Sequence, residues 1–279
     1  MKLYMMIGLP GSGKTAYAET LPGFIHSWEK FKAKHPDFDD NQIQSLMDTS
    51  TEAALKAKAN VVYDATNLSR KRRQHVLNMA KKLGAKTIAV LMLMPIENCI
   101  ENNLSRANPV PEKEILWLAR TFNVPTIPEF DDIKVVQYVI GDDDVELDFS
   151  QDNGYHAFSL MRHMQLTEHY LESDDEVLKE AAKYHDTGKA FTKSFTNAKG
   201  EPSEEAHYYG HENYGALWYL TTRQVGVFEM EVAKYINYHM RPFVWEHSEK
   251  SKQKDIDILG EDVVKNLEVL HAADLKASK

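Results

Sequence analysis

Cysteine is nearly absent from this chain of 279 residues, where Cys99 stands alone. A single thiol cannot close an internal disulfide, so a cross-linked secreted scaffold is excluded and a reducing interior is the expected home. Long hydrophobic runs are missing as well. The opening run, Leu3–Ile7, breaks at Gly8, and the longest later one, Ile88–Met94, has the length of a buried strand. Neither suits a signal peptide or a membrane span, so a soluble cytoplasmic protein without a membrane partner is expected. Positive charge is also scarce: 42 acidic residues against 33 basic ones leave a net charge of −9. That balance argues against indiscriminate polyanion binding, while a local basic groove remains compatible with it. Internal repeats and low-complexity tracts are lacking, which excludes a duplicated or solenoid architecture.

What is present suffices for two domains of ordinary size, with 43% hydrophobic residues to fill their cores. In the first half, short apolar runs at Leu3–Ile7, Gly23–His26, Asn60–Asp64, Ile88–Met94 and Val135–Ile140 are separated by helical stretches, one of them basic and running from about Ser69 to Lys82. Runs without alternation between amphipathic helices predict a parallel sheet covered on both faces. Gly141-Asp142-Asp143-Asp144 is a turn-forming acidic break. Beyond it, helix-period patterns such as Glu176–Tyr184 take over, and nine of the twelve histidines lie from His156 onward. An α/β domain over residues 1–145 followed by an all-α domain over residues 150–279 is the expected organisation.

Directly after the first run comes Gly8-Leu9-Pro10-Gly11-Ser12-Gly13-Lys14-Thr15, the phosphate-binding pattern G-x-x-x-x-G-K-[ST]. Small residues let backbone N–H groups of Gly8, Gly11, Ser12 and Gly13 curl around a polyphosphate, and the helix that follows adds its positive end. Lys14 is placed to reach the outer phosphates and the Thr15 hydroxyl to ligate Mg²⁺. ATP or another nucleoside triphosphate with Mg²⁺ is therefore the expected ligand.

Such a loop names the donor and leaves the acceptor open. Glu29, in Ser27–Lys32, is the candidate general base for an attacking hydroxyl, with a solvated surface Glu as the competing explanation. Asp64 ends a strand and is followed by Thr66, Asn67 and the basic cluster Arg70–Arg73, so these side chains face the crevice at the carboxyl end of the sheet. Asp64 suits a hydrated metal, and Thr66 or Asn67 a phosphate. Four consecutive cations cannot all face one groove. Asn103–Arg106 with Val110-Pro111 has the order of a lid whose arginine steadies charge on a moving phosphoryl group.

Taken together, Gly8–Thr15, Ser27–Lys32, the Asp64–Arg73 stretch with its Thr-Asn-Leu core, and Arg106 with Val110-Pro111 resemble the phage-type polynucleotide 5′-kinase family. The resemblance spans the first half of the chain. It implies transfer of the γ-phosphate of ATP to a 5′-hydroxyl on RNA or DNA, with Lys14, Glu29 and Arg106 catalytic. It also implies acceptor contacts from Lys32, Asp64, Thr66, Asn67, Arg70 and Arg73. Glu29 stands where the family usually has Asp, and Lys32 where it usually has Arg, which moves the carboxylate outward by a methylene and loses the bidentate fork. A phage origin would place the protein in a host cytoplasm.

The second half carries imidazoles and carboxylates in a suggestive order: His156, His185-Asp186, His211, His239 and Asp274. Such donors suit Mn, Fe, Co, Ni or Zn, and one carboxylate can join two ions. The order His156, His185-Asp186, Asp274 resembles the HD phosphohydrolase superfamily, and Gly210-His211 with His239-Met240-Arg241-Pro242 resembles its branch with a second metal position, as in the HD domain of some bacterial tRNA nucleotidyltransferases. By that resemblance His156, His185, Asp186 and Asp274 hold one divalent metal. His211 and His239 share Asp186 to hold another, and Lys189 meets the scissile phosphate. His207, four residues before His211, is expected behind them on a helical face, whereas His163, His169, His247 and His271 are expected to be structural.

The joint expectation is a bifunctional end-healing enzyme, a 5′-hydroxyl kinase fused to a metal-dependent hydrolase of 2′,3′-cyclic or terminal phosphates. Two alternatives stand beside it: a kinase and phosphohydrolase of free nucleosides or nucleotides, and a nucleoside-triphosphate-gated switch without turnover. Diiron oxygenation, which also occurs on HD folds, is compatible with the same ligand types.

Overall fold

The computed structural model describes residues 1–279, which divide into two compact units: Met1–Leu118 with Pro125–Val139, and Ala119–Val124 with Ile140–Lys279. The first unit runs β1 (Lys2–Ile7), α1 (Lys14–Ala18), β2 (Phe24–Ser27), α2 (Trp28–Lys34), α3 (Asp40–Lys56), β3 (Val61–Asp64), α4 (Arg70–Lys82), β4 (Lys86–Leu93), α5 (Ile96–Leu104), α6 (Glu112–Ala119) and β5 (Asp132–Gln137). Its five strands form one wholly parallel sheet in the order β2-β3-β1-β4-β5. Leu3 through Ile7 are all buried, so both faces of β1 are covered, and this is why its sequence shows no polar alternation. Alternate residues Tyr4, Met6, Val62, Val90 and Met92 pack as one cluster on a single face. At the edge, β5 begins three residues earlier than its apolar run, because an edge strand accommodates Asp132 and Lys134 where a central one would not.

Strand order reverses on either side of β1, so the crevice at its carboxyl end is where such a sheet receives ligands. The loop of residues 8–13 occupies that point, and Asp64 closes the neighbouring strand beside it.

The second unit contains α7 (Leu160–Tyr170), α8 (Glu176–Tyr184), α9 (Lys189–Thr192), β6 (Ser194–Thr196), β7 (Pro202–His207), α10 (His211–Thr221), α11 (Val227–Tyr238), α12 (Arg241–Trp245), α13 (Glu249–Leu259) and α14 (Glu261–Ala277). It is helical, as expected, apart from the antiparallel hairpin β6–β7, closed by a turn in which Asn197 Oδ1 accepts from the Lys199 and Glu201 amides. Helix α10 is buried almost throughout, from Tyr214 to Thr221. The sequence gives no hint that residues 119–124 belong here. Phe122 is fully buried in this unit, its carbonyl accepts from Asn237 Nδ2 at 3.0 Å, the Val124 amide donates to Asn237 Oδ1 at 3.1 Å, and Asn213 Nδ2 donates to the Arg120 carbonyl at 2.8 Å. The two asparagines lie two residues from His239 and His211, so this strip of chain steadies the ends of α10 and α11. No helix is long and apolar enough to cross a membrane.

Candidate active sites

In the first unit, Gly11 takes a φ of 84°, and a Cβ there would lie 2.1 Å from the Cys99 carbonyl oxygen. Only glycine permits this close stacking of the loop on α5. The Gly8 amide donates to the Thr66 carbonyl at 3.0 Å, which joins the start of the loop to the segment after β3. Thr15 Oγ1 donates to Asp64 Oδ2 at 2.9 Å. A hydroxyl and a carboxylate so placed are hard oxygen donors fit for Mg²⁺. Burial raises the Asp64 carboxyl above its usual range, against the pull of Lys14. Ser12 Oγ is buried without a protein hydrogen-bond partner, and its hydroxyl is of a kind that donates to a phosphate oxygen. Lys14 Nζ folds back onto the Leu9 carbonyl at 2.6 Å, and burial pushes the ammonium down to about 8 despite Asp64.

On the acceptor side the structure brings Glu29 and Arg106 together, with Arg106 Nη2 hydrogen-bonded to Glu29 Oε1. Asn103 shapes the lid: its amide donates to the Val110 carbonyl at 2.7 Å and its oxygen accepts from the Val110 amide at 3.0 Å. Thr66 and Arg70 are half-buried near the carboxyl edge of β3, and the Lys32 ammonium is bonded to the Phe38 carbonyl. Two expected substrate contacts need correction. Asn67 is buried in the left-handed region (φ 46°) and spends its amide on the Met6 carbonyl at 2.7 Å, tying the loop after β3 to β1.

Arg73 is 0% exposed and grips Glu129 in a fork, Nε to Oε1 and Nη2 to Oε2 both at 2.8 Å, with Nη1 on the Asn67 and Leu68 carbonyls. A side chain so enclosed holds the fold and does not reach an acceptor. Arg73→Ala is expected to destabilise the first unit by about 3–5 kcal/mol, because it strands the Glu129 carboxylate in the interior. Urea unfolding measures this; unchanged stability with a raised acceptor KM would return Arg73 to the binding surface.

In the second unit two groups of ligand-type atoms form, each within 4.8 Å: His163, His185 and Asp274, and Asp186, His211 and His239. His163, expected to be structural, therefore takes the place expected of His156. It lies on the buried face of α7, whereas His156 sits in the loop before that helix. Asp186 serves both groups. Its Oδ2 is 3.2 Å from His163 Nε2 and 3.4 Å from His185 Nε2, while Oδ1 is 3.1 Å from His211 Nε2 and 3.5 Å from His239 Nε2.

The ring orientations test whether metal fits. His163, His185, His211 and His239 each direct Nδ1 at a backbone carbonyl, those of Ala277, Ala182, Tyr208 and Ile236, at 3.3, 2.8, 2.8 and 2.8 Å. A carbonyl only accepts, so each Nδ1 carries a proton and Nε2 is the atom turned inward, the orientation that outer partners give metal-bound imidazoles. His163 Nε2 and His185 Nε2 are buried without hydrogen-bond geometry to any partner, and the Nε2 atoms of His211 and His239 face each other at 3.2 Å. Inward nitrogens this close, beside the shared Asp186 carboxylate, are a donor set that fits two divalent metals. Burial alone raises Asp186, but Lys189 and the imidazoles outweigh it and hold its carboxyl well below the usual range. Burial likewise opposes protonation of His163, yet the two carboxylates push it up to about 9, a further sign of their demand for positive charge.

Close packing makes the double group possible. A Cβ on Gly188 would lie 2.0 Å from the His211 carbonyl oxygen and 2.7 Å from the Gly215 amide, so glycine alone lets the turn after Asp186 rest against α10. Lys189 Nζ reaches Asp186 Oδ2 at 2.6 Å, Gln151 Oε1 at 2.9 Å and His156 Nε2 at 3.1 Å. Burial, aided by Lys189, pushes His156 down to about 4. His207 ends β7 rather than lying on a helix, with Nε2 3.1 Å from Ser203 Oγ. His271 pairs with Glu246 at 3.2 Å, away from either group.

Comparison with known proteins finds a separate family match in each half of the chain. Residues 3–125 match the AAA domain family and residues 154–274 match the HD domain family. The L-seryl-tRNA(Sec) kinase of Methanococcus maripaludis is 20% identical over 135 residues, 44% of this chain and 53% of that protein, so the chain spans about half the length of the curated relative it matches. Among solved structures, a protein described as a kinase from Chloroflexus aurantiacus aligns at 15% identity and a TM-score of 0.40, over 48% of this chain and 84% of its own. A gluconokinase from Sinorhizobium meliloti aligns at 16% and 0.35, over 48% and 81%. The chain joins an α/β domain of P-loop kinase-like fold to a helical region that matches the HD domain family.

Proposed function

We propose that the protein heals broken nucleic-acid ends, phosphorylating 5′-hydroxyls with ATP and hydrolysing 2′,3′-cyclic or terminal phosphates. The observation that carries this reading is the pairing in one chain of the Thr15–Asp64 and Glu29–Arg106 contacts with a ligand set divided across the two oxygens of Asp186. RNA cleavage that leaves a 5′-hydroxyl usually leaves a 2′,3′-cyclic phosphate opposite, so two phosphate chemistries on one chain serve one break. In the kinase, Glu29 takes the proton of the attacking hydroxyl once Arg106 exchanges it for the moving phosphoryl group, and Lys14 leaves the Leu9 carbonyl for the outer phosphates. In the hydrolase, divalent metal held by His163, His185, Asp274, Asp186, His211 and His239 would supply Lewis acidity and an activated water. Lys189 steadies the charge of the phosphate oxygens there, and the Nδ1 contacts keep the imidazoles in the binding tautomer.

A second reading, phosphorylation of free nucleosides, draws support from the acceptor side, where Arg73 is buried against Glu129 and Lys32 is bonded to the Phe38 carbonyl. Labelled ATP offered with 5′-hydroxyl oligonucleotides and, separately, with nucleosides separates the two; product only from nucleosides would replace the first reading with the second. Glu29→Gln keeps the size and removes the base, so turnover should fall about 10²–10⁴-fold with ATP affinity retained. Near-normal turnover would move the base to Asp64.

A further inference from the structure

The imidazoles of His211 and His239 come from different helices, His211 opening α10 and His239 closing the last turn of α11, and each has an asparagine two positions away. Side chains two residues apart on a helix point about 200° apart, so Asn213 and Asn237 lie on the far side from the imidazoles. There they meet each other. Asn237 Nδ2 donates to Asn213 Oδ1 at 2.9 Å, while on the opposite side the two Nε2 atoms stand 3.2 Å apart. The strip of residues 119–124 completes this outer link. Besides the bonds of Asn237 to Phe122 and Val124 and of Asn213 to Arg120, Asn123 Nδ2 donates to Asn213 Oδ1 at 3.2 Å. The strip also presses on the residue just before His211, for a Cβ on Gly210 would lie 2.7 Å from the Arg120 carbonyl oxygen. Asn237 is 4% exposed, and both polar atoms of its side chain are engaged in these bonds.

We propose that Asn237 is a positioning residue for the metal position at Asp186, His211 and His239, and that with Asn213 and residues 119–124 it fixes the spacing of the two imidazoles. Given the metal-binding role proposed above, the affinity of that position then depends on a clasp of amides that touches no metal. The other group draws on α7, the end of α8 and α14 through His163, His185 and Asp274, and its imidazoles lean on the Ala277 and Ala182 carbonyls instead. A loosened clasp lets the ends of α10 and α11 move apart, and it therefore weakens one position and spares the other.

Equilibrium dialysis of the full chain against Co²⁺ tests the assignment, with bound metal counted by mass spectrometry and excess Mg²⁺ present to occupy the hard oxygen donors of the first unit. The parent should bind two Co²⁺ per chain. Asn237→Ala should keep one at the parent affinity and bind the other about tenfold or more weakly. Asn213→Ala, at a half-buried position and so milder for folding, should weaken the same ion alone, and it decides the matter if Asn237→Ala does not fold. Added to His163→Ala, either substitution should weaken the ion that remains; added to His211→Ala, it should change nothing. Equal weakening of both ions would make the asparagines general supports of the fold and overturn the assignment, as would two ions held at parent affinity in the variants. A parent that binds fewer than two ions would remove the second metal position and the clasp's role with it. The expected pattern without any phosphoester hydrolysis would leave the clasp standing and sink only the hydrolytic function.

Discussion

Lys14→Ala should abolish ATP-dependent phosphorylation, lowering the rate by about 10³-fold or more, equivalent to about 4 kcal/mol of lost transition-state stabilisation. The ammonium is the one cation inside the phosphate loop, and its 2.6 Å bond to the Leu9 carbonyl is released when phosphates arrive. Because burial pushes it down to about 8 in the free protein, it is charged below that pH and loses its proton above it. Bound phosphates draw the pKa back up, so ATP affinity should weaken as pH rises past about 8, and titrations at pH 7 and pH 9 check that sign. Hydrolysis by the second unit should persist in Lys14→Ala, since every ligand-type side chain of its two groups lies between His163 and Asp274. Loss of both activities in a folded variant would refute two independent sites.

Asp186→Ala should have an effect of similar size on the other chemistry. Its two oxygens face different groups, so one substitution takes a donor from both and leaves any two cations without their shared negative charge. Metal content should fall at both positions and hydrolysis by about 10³-fold or more, with phosphorylation retained. Single substitutions resolve the pattern: His211→Ala should empty mainly one position, His163→Ala mainly the other, and His156→Ala neither. Activity after chelation should return only with added divalent transition metal. Wild-type metal content in Asp186→Ala would remove the carboxylate from the ligand set, and metal loss in His156→Ala would restore that histidine to it.

The parallel sheet, the phosphate loop and the His-Asp pair at 185–186 were legible because each is written in contiguous residues whose spacing is fixed by local geometry. The choice between His156 and His163 was not written that way. A helical-face reading would have decided it, since Leu160, His163, Met164 and Thr167 fall on one stripe after the Ser159 cap, whereas His156 follows Gly154-Tyr155 outside any helix. Arg73 gives the same lesson, for Arg73, Val76, Leu77 and Ala80 form the buried stripe of α4 and a run of four cations hides the one that points inward. Its partner Glu129 is 56 positions away, and no local signal connects them. The Glu29–Arg106 contact and the seating of Phe122 are likewise products of tertiary assembly, invisible in any window of sequence.

Residues 119–124 make the chain pass between its units three times, after 118, 124 and 139. A cut in the acidic stretch at 142–144 would sever only the last of these three passages. The same strip forbids clean dissection by recombination. A gene fragment starting at residue 150 would encode an Asn237 stripped of the Phe122 carbonyl and Val124 amide, two positions before His239, and a hole where the Phe122 ring had been. The two units are therefore inherited as one object, made in equal number and cleared together.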